Sequence, residues 1–424
     1  MDDAIGDGVH VLSLSIGTSK PTPYTQDGIA IGALHAVKKN IVVVCSAGNN
    51  GPTASTLSNQ APWIITIGAS SVDRTFVAPL RLGNGMTIEG QTVTPYELKR
   101  KMYPLVYAAQ VVNSDVPKTY IAGQCLPGAL SPQKAKGKIV LCFRGNGTRV
   151  GKGQEVKRAG GIGFILGNSP ANGAELAADA HVLPATAVNS ENAIKIVRYI
   201  NRTKNPMASI FPAKTVLYSK PAPFMAAFTS RGPNTISPDI LKVTTGLTNN
   251  VGKPITDASG NTPADPFQFG AGHFRPEKAA DPGLVYDASY TDYCLFLCSS
   301  GIKTLDPSFK CPTNPPSPNN LNHPSLAIPK LSGAMTVKRT VTNVGGSKSV
   351  YFASVKPPQG ISVTVYPPIL FFNQVGQKKS FTITVEANSE MVGANAQKGT
   401  YSFGWLTWTD SIHNVRSPIA VSLA

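Results

Sequence analysis

Hydrophobic and polar positions follow three different rhythms along this chain, and the changes between them divide it. Residues 9–17, VHVLSLSIG, alternate and end in Gly, which predicts a strand. Residues 27–40, DGIAIGALHAVKKN, place apolar side chains at helical spacing, with Lys38 and Lys39 in the last turn, where a helix dipole favours cations. Residues 41–48, IVVVCSAG, and 61–70, APWIITIGAS, are near-continuous apolar runs of strand length. Strand, helix, strand, strand, with strands apolar on both faces, predicts a parallel α/β sheet. In such sheets the functional site lies beyond the carboxyl ends of the strands, which directs attention to Gly48 and Asn49.

From about residue 80 the rhythm becomes mixed and polar. Residues 137–145 predict a strand, 153–168 a helix giving way to a strand, and 191–206 an amphipathic helix ending before Pro206. This is a second, smaller α/β module. Residues 221–242 return to strand and turn, and 303–324 are rich in Pro, Asn and Ser, as a linker is. From 325 onward the pattern is all β. TVKRTVTNVG, SVYFASVK, GISVTVYPP, KKSFTITVEA, YSFGWLTWTD and SPIAVSLA are short strands between Pro and Gly turns, which predicts a β-sandwich.

Composition changes this picture little. The 424 residues are 42% hydrophobic and 15% charged, as in globular proteins, and that length suits several domains. The net charge of +16 comes from scattered basic residues with no nucleic-acid module among them, so a solvated basic surface is expected and no nucleic-acid partner. No apolar run is long enough for a transmembrane helix, so no membrane partner is expected. The N-terminal residues MDDAIGDGVHVLSLS are acidic and lead directly into the first predicted strand; they do not read as a signal peptide. Asn146 and Asn201 nonetheless head Asn-x-Thr sequons. None of the six cysteines has zinc-site spacing, and no carboxylate cluster has metal spacing, so no metal and no cofactor are expected. Cys125 and Cys142 flank one turn-rich stretch and Cys298 and Cys311 another. Both pairs are disulfide candidates that spacing alone does not decide.

Three motifs are more specific: CSAGNNGP (45–52), FTSRGPN (228–234) and GAGHFRPEKAADPGLVYD (270–287). With them the chain resembles the plant-type subtilisin-like serine proteases nearly end to end. The resemblance implies an incomplete subtilisin-like α/β core at 1–79 and 216–302, a protease-associated insert at 80–215, a linker at 303–324 and a fibronectin-III-like sandwich at 325–424. LNHPSLAI resembles a family motif that usually has Tyr where His323 stands. By resemblance, Asn49 donates its side-chain amide to the oxyanion of acyl transfer, and Ser15, Ile16 and Gly17 form the strand that pairs with substrate backbone. Peptide or protein substrates, an extracellular or vacuolar location and self-association through the insert are further implications.

The same resemblance exposes what is missing. Subtilases carry an Asp-[Thr/Ser]-Gly, a His-Gly-Thr and a Gly-Thr-Ser-Met motif, because the serine needs a base and the base an orienting carboxylate. None of His10, His35, His181, His273, His323 and His413 is followed by Gly. The Asp and His motifs are expected before residue 1, and the serine segment is expected to be cut out near Lys242–Val243. GTSKPTPY (17–24) imitates the nucleophile motif, but Lys20 replaces Met, and Pro21 and Pro23 interrupt the helix it would need. Ser19 is therefore not expected to be a nucleophile. Cys45 is expected to be a buried inert thiol, Ser230 a turn hydroxyl and His35 a helix surface residue. As written, the chain is expected to be catalytically inactive. The alternative is a non-catalytic protein that binds peptide or protein through its insert and sandwich. The incomplete core is expected to expose apolar faces.

Overall fold

A computed structural model of the chain describes residues 1–18, 20–114, 116, 123–172, 174–241, 248–258, 262–303, 305–387 and 399–424. Ser19 and the Lys242–Val243 junction lie outside the described residues. The chain forms two compact units, one of residues 1–70, 223–257 and 263–424, the other of 71–222 with 258–262.

The first unit opens with a short helix, α1 (Asp2–Gly6), where the sequence led straight to a strand. Asp2 and Asp3 occupy its first turn, where carboxylates favour a helix start. β1 (Val11–Leu14), α2 (Gly28–Lys38), β2 (Val42–Ser46) and β3 (Ile65–Ile67) follow, and the strands form a parallel sheet in the order β1-β2-β3. The Asp27 carboxylate caps α2 by accepting from the Ile29 and Ala30 amides. Ala30, Ala33 and Leu34 of α2 are buried in one cluster with Val43, Cys45 and Trp63, whose indole donates to the Ala30 carbonyl at 2.8 Å. Register puts Val11, Val42, Ile65 and Ile67 on the other face of the sheet, and all four are exposed, Val11 at 56%. A parallel sheet normally has both faces covered. β1 is shorter than the predicted 9–17 because side chains, rather than a neighbouring strand, take the carbonyls of Ile16 and Thr18.

The C-terminal part of this unit is the expected β-sandwich. One sheet orders Leu284–Val285, Ala334–Asn343, Lys378–Ala387 and Ile361–Tyr366; the other orders Leu326–Leu331, Asn414–Leu423, Tyr401–Thr409, Ser349–Lys356 and Ile369–Phe372. Inward residues such as Tyr351, Phe381, Trp408 and Ile419 fill the core between them. Leu284–Val285, within the DPGLVYD motif, adds an edge strand to the first sheet. Gly283, at φ 74°, makes that approach feasible: a Cβ there would stand 2.6 Å from the Tyr351 hydroxyl and 2.7 Å from the His413 ring.

The second unit is built on a seven-stranded mixed sheet. Its parallel half is Ala185–Val188, Gly163–Gly167, Ile139–Phe143 and Tyr103–Tyr107; Met207–Ile210, Leu80–Leu82 and Thr87–Ile88 continue it antiparallel. Helices Arg149–Arg158 and Ser190–Arg202 pack their apolar sides on it. The first helix starts before the predicted 153 because Thr148 Oγ caps it, accepting from the Gly151 amide at 3.1 Å. Cys125 and Cys142 form a disulfide in this unit, and Cys298 and Cys311 one in the first.

Candidate functional site

β2 delivers its carboxyl end into the turn Ala47–Asn50, and a second segment holds that turn in place. Gly48 sits at φ 98°, a conformation other residues rarely adopt, and its carbonyl accepts from the Ser230 amide at 3.0 Å. Ser230 Oγ accepts from the Asn50 amide at 3.1 Å, so Ser230 is a turn hydroxyl. The Gly51 amide donates to the Phe228 carbonyl at 2.9 Å, and a Cβ on Gly51 would lie 2.0 Å from the Thr229 carbonyl. Ser55 and Thr56 amides continue the seam to the carbonyls of Gly232 and Arg231. CSAGNNGP and FTSRGPN, far apart in sequence, are thus two halves of one hydrogen-bonded seat.

Ser58 and Asn59 join this seat to the end of β1. The Ser58 amide donates to the Ala47 carbonyl at 2.8 Å, and Ser58 Oγ donates to the Thr18 carbonyl at 2.8 Å. Asn59 Nδ2 donates both hydrogens, to the Ile16 carbonyl at 2.9 Å and the Ser46 carbonyl at 2.8 Å. Asn59 is 2% exposed and left-handed at φ 54°, a backbone state that Asn tolerates better than most residues. Thr66 Oγ returns a bond to the Asn59 carbonyl at 2.6 Å. The result fixes Ser15-Ile16-Gly17 beside the carboxyl end of β2 with all three residues exposed, Ile16 at 63%. Asn49 is also exposed, on the turn just past the same strand end. Sequence reasoning missed Asn59. The signal available was a polar Ser-Asn-Gln run directly before an apolar strand.

A cavity of about 170 Å³ adjoins this seat, lined by Ala47, Thr66, Ser70, Ser230, Phe269 and His273 among others. Ser70 Oγ and His273 Nδ1 are 3.2 Å apart in it, and no carboxylate bonds that imidazole among the described residues. The other histidines are elsewhere. His35 is exposed on α2, 3.7 Å from Asp2. His181 is buried edge-on to Phe164, and burial pushes its pKa down. His323 contacts Ser325, and His413 lies between Asp281 and Asp410. Cys45 is buried. The sequon asparagines Asn146 and Asn201 are exposed; the Asn201 side chain accepts from Gln110 at 3.1 Å. Among the described residues there is no cluster of three metal-ligating side chains, and no helix long and apolar enough to cross a membrane.

Residues 101–196 match the PA domain family, and residues 320–421 match a fibronectin type-III domain family. The whole chain is 48% identical to the subtilisin-like protease SBT5.6 of Arabidopsis thaliana and covers 62% of it. It is 45% identical to the subtilisin-like protease SBT5.5 of the same plant over its whole length, covering 61% of that relative. The chain therefore spans less than two thirds of the relatives it matches. The alignment with SBT5.6 runs over 495 positions for 424 residues, so at least 71 of its positions have no counterpart within this chain.

Proposed function

Because the chain belongs to the family of plant subtilisin-like proteases, we propose that the Ala47–Asn50 turn is the oxyanion-binding element of a serine endopeptidase site. In this reading the Asn49 side-chain amide is the donor, and Ser15, Ile16 and Gly17 pair with the substrate backbone. Acyl transfer moves negative charge onto the carbonyl oxygen of the scissile bond. A donor already fixed at that point stabilises the charge without reorganising, an effect of about 10²–10³-fold in rate. The observation that carries the reading is the double hydrogen bond of Asn59, which ties the segment Ser15–Gly17 beyond β1 to the strand end that bears the Ala47–Asn50 turn.

The nucleophile and base are assigned to family segments outside these 424 residues. No Gly-Thr-Ser-Met and no His-Gly occurs in the sequence. The unmatched positions of the relative support a missing internal segment, which we assign to the Lys242–Val243 junction. By itself, the 424-residue chain is then a peptide-binding protein that does not cleave. The exposed, pre-positioned segment Ser15–Gly17, which follows β1 without itself being a strand, favours this second reading for the chain alone. The family reading also assigns an extracellular or vacuolar location, glycans on Asn146 and Asn201, and the insert as a surface for self-association.

The test is to incubate the 424-residue chain with fluorescent peptides, following anisotropy for binding and mass spectrometry for cleavage, with a fluorophosphonate probe in parallel. Binding without cleavage or labelling is expected. Cleavage, with the probe mapped to a serine of this chain such as Ser19 or Ser70, would overturn the assignment.

A further inference from the structure

Three cysteines gather at the helix Tyr290–Ser299 and the turns that follow it. Cys298 is bonded to Cys311, with their Cα atoms 5.7 Å apart. Cys294 stands one turn earlier on the same helix, so Cys294 and Cys298 share a face. Cys294, Cys298 and Cys311 all line one small, partly open crevice of about 10 Å³, which they share with Leu297, Leu305, Asp306 and Phe309. That is at the lower limit for a single water, so the three cysteine residues that line it pack closely.

We propose that Cys294 is the resting thiol of an internal disulfide exchange, in which its sulfur replaces that of Cys298 as the partner of Cys311. The Cys294 thiolate attacks Cys311 Sγ. The Cys294–Cys311 bond forms as the Cys298–Cys311 bond breaks, and the electron pair leaves on Cys298 sulfur, which takes up a proton. One thiol and one disulfide enter and one of each leaves, so no outside oxidant or reductant is needed. Cys311 is the target for a geometric reason. Side chains four apart on a helix hold their Cβ atoms about 5–6 Å apart. A disulfide needs about 3.5–4.5 Å. Cys294 therefore cannot close on Cys298 without distorting the helix. Cys311 lies in a stretch with neither helix nor strand, which can follow the attacking sulfur. The exchange moves the anchor of that stretch by one helical turn.

The surroundings keep the exchange slow at neutral pH. Burial pushes the Cys294 thiol pKa up, and Asp306 adds to the rise, while the Tyr290 hydroxyl and the Lys38 ammonium oppose it. Lys38 in turn holds Asp306 at 2.8 Å, and the Tyr290 hydroxyl also donates to Asp306. Since only the thiolate attacks, the rate should rise about tenfold per pH unit through mildly alkaline conditions.

The full chain is held at about pH 7, 8 and 9, quenched in acid, denatured, alkylated and mapped without reduction, with circular dichroism recorded before the quench. The expected result is a growing Cys294–Cys311 peptide with newly alkylated Cys298, at a rate independent of protein concentration, while Cys125–Cys142 stays intact. In Cys298→Ser under a glutathione redox buffer, Cys294 should capture Cys311. The proposal is overturned if Cys298–Cys311 alone is recovered at every pH while helix content holds. A new pairing that appears only after helix content is lost overturns it equally, as does recovery of Cys294 and Cys311 both free in Cys298→Ser.

Discussion

Replacing Asn59 with Gly should loosen the end of β1 from β2 without disturbing the backbone. Glycine accepts the left-handed φ of 54° at this position, whereas Ala would add strain there of its own. What disappears is one amide with two donated bonds, to the carbonyls of Ile16 and Ser46 at 2.9 and 2.8 Å. Asn59 is 2% exposed, so water does not readily replace those donors. An unmade hydrogen bond to a buried acceptor costs about 1–3 kcal/mol, and the two carbonyls are only partly buried, so about 2–4 kcal/mol is expected for the pair. If β1 and β2 open as a local unit, that is about 30- to 900-fold faster amide exchange. Hydrogen exchange read by mass spectrometry over residues 11–18 and 42–50 measures it. Amides of the sandwich strand Lys378–Ala387 serve as the internal reference. Asn59→Asp should do at least as much damage, since it sets a carboxylate against the same two carbonyls. Acceleration of less than about threefold in Asn59→Gly would refute the claim that Asn59 couples residues 15–17 to the end of β2.

Two pH dependences follow from the buried Lys152 and the partly buried His413. Lys152 is 2% exposed, donates to the carbonyls of Gln124 and Asn146, and has its pKa pushed down by burial to about 8 from 10.5. Between those values the unfolded chain holds a proton that the folded one has lost, so the stability of the insert should climb by up to about 3 kcal/mol as pH rises across that range. Urea melts at stepped pH test this, and Lys152→Met should flatten the rise. His413 behaves oppositely. Asp410 at 2.8 Å, chiefly, and Asp281 at 3.1 Å raise its pKa above 6.5, against the pull of burial, with the Tyr351 hydroxyl beside the same ring. Its contribution is complete below pH 6.5 and is lost as pH rises through the higher folded value. His413→Gln should remove that slope from the thermal melt of the sandwich.

The elements that read clearly from sequence are those whose period is set by one buried face. α2 shows it through Ala30, Ala33 and Leu34, and strand Lys378–Ala387 through the buried Phe381, Ile383 and Val385 alternating with polar residues. Boundaries set by a polar cap were less legible. The helix from Arg149 has only Val150 and Val156 as large apolar side chains, too few for a clear period, and its start is set by Thr148. Leu284–Val285 was illegible as a strand because two residues have no period; the pairing comes from Thr342 and Asn343. At the candidate site, Asn49 and Ser15–Gly17 are proposed from motif resemblance, whereas Asn59 belongs to no such motif. Its role lies in contacts that reach back 43 and 13 residues, which no local pattern encodes.

The most direct test of the Asn49 assignment is the kcat of the gene's complete product, including any segments before Met1 and at Lys242–Val243, against its Asn49→Ala variant on a fluorogenic peptide. A fall in kcat of about 10²–10³-fold with KM nearly unchanged is predicted, because the donor acts on charge that develops only in the transition state. A complete product without peptidase activity, or a variant within about threefold of the parent, would contradict it.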